Sequence, residues 1–137
     1  MLSAIFDSNI FVSALNYDGI PRRILNLARE GTIRLDISDG IYLETARVLY
    51  EKFKWSEADV NTLRDHLAGF ANRVEPTERL TVVKDDPDDD KIVECAVAAA
   101  SDYLVTGDWH ILKLGSHGKT QIVRPAEFLA VAQGRTL

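Results

Sequence analysis

The chain has 137 residues, 46% of them hydrophobic and 27% charged, which is the balance of one folded domain with a real core and excludes disordered, fibrous and two-domain organisations. Its formal charge of −5 runs against the basic footprint usual in nucleic-acid binders. A single cysteine, Cys95, excludes an internal disulfide and a multi-cysteine zinc site and fits a cytoplasmic setting.

In chain order, Ser3 to Asp7 reads as a first strand. Asp7 interrupts the apolar run too early for a secretory signal, and no later run reaches the ~20 residues of a membrane helix. Asn9 to Ala14 reads as a short helix or turn, and Pro21 opens a helix through Ile24, Leu25, Leu27 and Ala28 that stops at Gly31. Arg34 to Ser38 is a brief second strand. Ser38 or Asp39 caps a helix with Ile41, Tyr42, Ala46, Leu49 and Phe53 at helical spacing. Ser56 and Asp59 form a capping box before a scaffold helix carrying Val60, Leu63, Leu67 and Phe70. Leu80 to Val83 is the expected third strand. An acidic loop from Asp85 to Asp90 then leads into a helix of Ile92, Val93, Ala96, Val97 and Ala100. Tyr103 to Thr106 is the fourth strand and Gln121 to Arg124 an edge-like fifth, with Pro125 starting a last helix through Phe128, Leu129 and Val131. This alternation predicts an α/β fold with a parallel sheet of about five strands between helical layers.

The apolar runs give way to carboxylates at Asp7, Glu44, Asp89 and Asp108. Parallel sheets form ligand sites beyond the carboxyl ends of their strands, so these acids can converge. Clustered carboxylates resist ionising together without a cation, and oxygen donors suit Mg2+ or Mn2+ better than zinc. Setting the four acids aside leaves the remaining charge close to balance, and Arg22, Arg23, Arg29, Arg34, Lys52 and Lys54 supply cations for phosphates, although scattered basic residues are usually just solvated.

Each acid also has a plainer reading. Asp7, followed by Ser8 and Asn9, is explained equally well as a helix cap. On a helical wheel Asp89 continues the stripe of Ile92, Val93, Ala96 and Ala100, and a carboxylate there needs compensation. Asp88 and Asp90 fall to either side of that stripe, where solvent or capping accounts for them. Asp108 follows Gly107 and also suits a turn, with Thr106 offering a hydroxyl to the same crevice. Glu44 lies with Arg47 and Glu51, away from the apolar face, so by pattern alone it is a surface glutamate. His66, His110 and His117 show no zinc spacing. Cys95 reads as a small buried helix residue and Trp55 as packing, while Trp109 is open between packing and stacking on a base.

The segments Ile5-Phe6-Asp7-Ser8-Asn9-Ile10-Phe11-Val12-Ser13-Ala14, Asp86 to Ala96 and Asp102-Tyr103-Leu104-Val105-Thr106-Gly107-Asp108 resemble the PIN-domain family, and the likeness runs on through Arg124-Pro125-Ala126-Glu127-Phe128-Leu129. Within it the chain is most similar to the VapC-like branch of toxins from toxin–antitoxin pairs. The resemblance implies a single α/β/α domain over residues 1–137 and metal-dependent endonuclease cleavage of RNA. It matches Asp7, Glu44, Asp89 and Asp108 to the four metal-binding acids, and Glu44 rests on it alone. Asp90 stands where that branch commonly has asparagine. One or two Mg2+ or Mn2+ ions held by these acids would activate a water and neutralise charge on the phosphoryl group, with Ser8, Asn9 and Thr106 positioning water or the carboxylates. An antitoxin covering the crevice and a homodimer are further implications.

Two rivals stand beside this reading. A haloacid-dehalogenase-like phosphatase also begins with a strand-end aspartate, but wants a general acid where this chain has Asn9. A non-catalytic PIN scaffold would bind RNA or protein without cutting; retention of all four acids counts against it.

Overall fold

Strand β1 (Ser3–Phe6) is buried along its whole length, with a parallel neighbour on each side, β2 (Arg34–Ile37) and β4 (Tyr103–Val105), and helices packed over it. The structure, a computed structural model, describes residues 1–83 and 89–134. Between β1 and β2 run α1 (Ser8–Asn16) and α2 (Ile20–Arg29), and α3 (Asp39–Phe53) and α4 (Glu57–Phe70) join β2 to β3 (Asn72–Arg73). The chain then returns through α5 (Asp90–Ala99) to β4, and ends in α6 (Trp109–Leu112), β5 (Ser116–His117), β6 (Thr120–Val123) and α7 (Pro125–Ala132). Among the described residues the sheet has six strands in the order β3-β2-β1-β4-β6-β5.

Chain direction assigns the helices to faces. The steps from β1 to β2 to β3 move one way across the sheet, and the return to β4 moves the other way, so right-handed crossovers put α5 on the opposite face from α1 to α4. Packing agrees: α5 lies on β1, β2 and β4, while α2 packs against α1 and α7. Strand register divides the core accordingly, with Ile5, Asp36 and Leu104 side by side on the α5 face and Phe6 beside Val105 on the other. There Phe6 meets Phe11 of α1 at 5.6 Å and Phe128 of α7 at 6.1 Å between ring centroids, and all three rings are fully buried.

Asp36 is an acid inside this core. It is completely buried, yet it accepts hydrogen bonds from Arg34 Nε (2.8 Å), Asn72 Nδ2 (2.9 Å) and Ser101 Oγ (2.7 Å). A buried charge is tolerated when its lone pairs are satisfied in this way. The Asp36 carboxylate beside Arg34 raises the guanidinium pKa.

The structure bears out the α/β class and corrects four details. Leu80 to Val83 is not a strand. Its donors go to carboxylates of α5, with Leu80 N–H bonding Glu94 Oε2 at 2.8 Å and Val82 and Val83 N–H bonding Asp90 Oδ1 at 2.9 and 2.8 Å. The third strand is instead Asn72–Arg73, which is polar and exposed. Asp90, read as solvated or capping, is buried and accepts those two bonds. Finally β6 is not an edge strand, since β5 folds back antiparallel onto it through Gly118 and Lys119, with Gly118 at φ 57°. Asp85 to Asp88 of the acidic loop lie outside the described residues.

Candidate functional site

β1 and β4 are neighbours whose onward connections leave in opposite directions, and the crevice beyond their carboxyl ends is where such sheets bind ligands. Asp7 stands there. Its N–H donates to Val105 O at 3.0 Å, continuing the ladder by one residue. Its carboxylate accepts from Ser8 N–H at 2.8 Å, capping α1, and from Thr106 Oγ1 at 2.8 Å. Thr106 is fully buried and in turn accepts from Asp108 N–H at 3.0 Å. Asp108 caps α6 through His110 N–H at 2.8 Å. One run of hydrogen bonds therefore ties both strand ends together and fixes Asp7 relative to Asp108.

A cleft of about 500 Å³ opens at this point, and Asp7, Glu44, Asp89 and Asp108 all line it. Ser8 and Asn9 line it too, Ser8 buried and Asn9 exposed, whereas Thr106 supports Asp7 from behind. The capping explanations for Asp7 and Asp108 are also correct, since both carboxylates cap helices while facing the cleft. Asp89 and Asp90 separate by position: Asp89 is the half-buried residue preceding α5 and faces the cleft, while Asp90 is turned to the 82–83 segment. Glu44 is exposed, as its wheel position predicts, but the exposed side of α3 at that point is the cleft wall.

Burial pushes the Asp7 pKa up, against the opposing hydrogen bonds from Thr106 and Ser8, and the negative charges of Glu44 and Asp108 push it up further. A divalent cation would remove this penalty. The donors fit such an ion in kind, being hard carboxylate oxygens that line one cleft. Among the described residues, however, no three His, Cys, Asp or Glu side chains stand close enough to hold a metal as a group.

Other lining residues were missed by sequence reasoning as members of the site. Ser38, the N-cap of α3, and Arg47 and Lys91 share the cleft. The spacing of Glu44 and Arg47, one turn apart on α3, is the signal that pointed to a shared face. Cys95 is buried at the cleft wall, and burial pushes its thiol pKa up. The histidines stay outside the lining: His66 borders a separate apolar groove with Leu15 and Trp55, and exposed His110 serves Asp108 through its backbone. Trp55 packs as expected, its Nε1 donating to Asn16 Oδ1 at 3.0 Å. Trp109 is 65% exposed.

Among the described residues no helix is long and apolar enough to cross a membrane. No curated protein matches the chain. A family model described as PIN domain matches residues 3–110, a span that runs from β1 into α6 and contains all four cleft acids. PIN domains are in general nucleases, and a carboxylate-lined cleft at the switch point of a parallel sheet accords with that chemistry. By the extent of this match and by its fold, the chain belongs to the PIN-domain family.

Proposed function

We propose that this chain is a Mg2+- or Mn2+-dependent endoribonuclease and the toxin of a type II toxin–antitoxin pair. One observation carries the nuclease reading: four carboxylates from different elements line one cleft, and one of them, Asp7, has its pKa raised by burial and by the charges of Glu44 and Asp108. In this reading Asp7, Glu44, Asp89 and Asp108 hold the cation. When bound, the cation supplies Lewis-acid activation of water and neutralises charge gathering on the phosphoryl oxygens.

The rest of the work falls to the chain. Thr106 donates to one oxygen of Asp7 and Ser8 N–H to the other, so the carboxylate is held in one orientation with its remaining lone pairs toward the cleft. Ser8 and Asn9, which line the same cleft, would help to position water there. Arg47, ion-paired with Glu51 at 3.1 Å, and Lys91 offset part of the negative charge that would otherwise repel a phosphodiester. No side-chain nucleophile is needed.

The test is RNA cleavage with and without chelator by the wild type beside Asp7→Asn and Asp89→Asn. Cleavage that needs Mg2+ or Mn2+ and fails in both variants supports the reading, and equal cleavage by all three proteins sinks it. The toxin role, its antitoxin partner and a homodimer rest on the resemblance of the motifs to the VapC-like branch. Growth arrest on expression of the chain alone, relieved by a partner that covers the cleft, is the expected outcome. Unimpaired growth with nuclease activity intact would refute the toxin role alone.

A further inference from the structure

The chain has two tryptophans, and the fold treats them differently. Trp55 is half-buried with its indole N–H bonded to Asn16. Trp109 is 65% exposed, among the most exposed large apolar side chains of the molecule. Its helix does not need it for anchorage, because Ile111 is the fully buried member of α6, and residues two apart on a helix do not share a face. Packing therefore does not account for an indole at this position.

Location suggests what does. Trp109 directly follows Asp108, a cleft acid, and precedes His110, whose N–H is bonded to the Asp108 carboxylate. The start of α6 is thus tied to Asp108, and Trp109 stands one residue beyond that cleft acid, outside the lining itself. Strand order fixes the side: Asp108 and Trp109 follow β4, Asp7 follows β1, and Arg47 lies on α3, which follows β2 on the far side of β1. With neighbouring strands ~4.8 Å apart, the ends of β2 and β4 stand roughly 10 Å apart. On its α3 side the cleft has Glu44 and Arg47, the latter ion-paired with Glu51 at 3.1 Å; the strand ends bring Asp7 and Asp108, and an exposed indole follows Asp108 in the chain. Aromatic faces take bases of any identity by stacking, provided the base is free of its own stack and pair.

We propose that Trp109 is a specificity-determining residue, a platform on which an unpaired nucleobase beside the scissile phosphate stacks, so that the cleft selects single-stranded over duplex RNA. This rests on the nuclease reading of the same cleft and adds a residue outside the acidic set. Trp109 contributes to holding the strand and not to the chemistry, so its removal acts on KM.

The experiment is steady-state cleavage of a short single-stranded oligoribonucleotide, and of the same strand in a duplex, by the wild type, Trp109→Ala and Trp109→Phe. Trp109→Ala is expected to raise KM about tenfold with kcat nearly unchanged, Trp109→Phe to recover most of the loss, and thermal stability to stay at the wild-type level. Abasic substitution at one position next to the cut should weaken the wild type and leave Trp109→Ala unaffected. In an Asp7→Asn, Trp55→Phe protein, where Trp109 is the sole indole, its emission should be quenched on adding the uncut strand. Equal KM values for the wild type and Trp109→Ala, or the absence of any abasic position that erases their difference, overturn the platform while leaving the nuclease standing. A wild type that binds the strand through Trp109 but never cuts it refutes the nuclease reading and leaves the stacking intact. A wild type that neither binds nor cuts refutes both.

Discussion

Replacing Asp7 by asparagine should make the protein more stable and inactive at once. The Asp7 carboxylate accepts two good hydrogen bonds, from Ser8 N–H and Thr106 Oγ1, both at 2.8 Å. Those bonds favour the charged form, yet the pKa is raised, because burial and the charges of Glu44 and Asp108 outweigh them. An asparagine keeps the shape, accepts from Ser8 N–H through its one amide oxygen, turns its NH2 toward Thr106 Oγ1 as a donor in place of the second bond, and removes the buried charge. The net gain expected at a functional site of this kind is about 0.5–2 kcal/mol. For a chain of 137 residues that corresponds to a rise in Tm of roughly 2–8 °C. Divalent metal should reverse the order. At about a hundredfold excess over its Kd, an ion bound only by the folded wild type adds about 2.7 kcal/mol, whereas Asp7→Asn should gain little. Thermal denaturation followed by circular dichroism, with chelator and then with Mn2+, reads both effects. An Asp7→Asn protein that melts below the wild type in chelator would show that the carboxylate supports the fold, and would refute the reasoning.

Asp89→Asn should reduce cleavage by roughly a hundredfold or more with little change in Tm, since even indirect supports of a metal cost 10–100-fold; Asp90→Ala should do the reverse, losing about 3 kcal/mol in urea denaturation by stranding the N–H groups of Val82 and Val83 while activity per folded molecule persists. Asp36→Ala should cost about 3 kcal/mol by the same assay, because the buried hydroxyl of Ser101 and the Arg34 guanidinium lose their shared partner. Asp102 links the start of β4 to that of β1, accepting from Ser3 N–H at 2.9 Å and facing Lys119 at 3.3 Å. The Ser3 backbone bond, foremost, lowers its pKa below the ordinary 3.8, with the Ser3 hydroxyl and Lys119 helping. Its contribution is therefore present above that ordinary value and lost as pH falls through the lowered one. Asp102→Asn should cost about 0.5–1 kcal/mol at neutral pH, allowing for solvent screening, and the difference from the wild type should close in strong acid; a gap that widens on acidification would contradict this.

Much of the architecture was legible because parallel strands buried on both faces read as short apolar runs and the helices between them carry recognisable caps. Asp7 and Asp108 were legible for a related reason, as carboxylates placed where such runs end. Glu44 was not, since a cleft is itself solvent-facing and its wall looks like any polar helix face. The wheel placed Asp89 at the cleft, and its backbone is indeed helical at φ −71° and ψ −17°, but it could not foresee that Asp90 would be buried by accepting from Val82 and Val83 N–H. The same tertiary choice misled the reading of Leu80 to Val83, where an apolar, partly buried segment satisfies its donors with side chains of α5 in place of a strand partner. The true β3 is two exposed polar residues, which carry no hydrophobic signal at all.

Calorimetric titration of Mn2+ into the wild type, Asp7→Asn and Asp89→Asn bears most directly on whether the four acids act together. Saturable uptake by the wild type that is lost or greatly weakened in both variants is the predicted result. Uptake of the same affinity and stoichiometry in all three, or none in the wild type, would contradict a shared cation in this cleft.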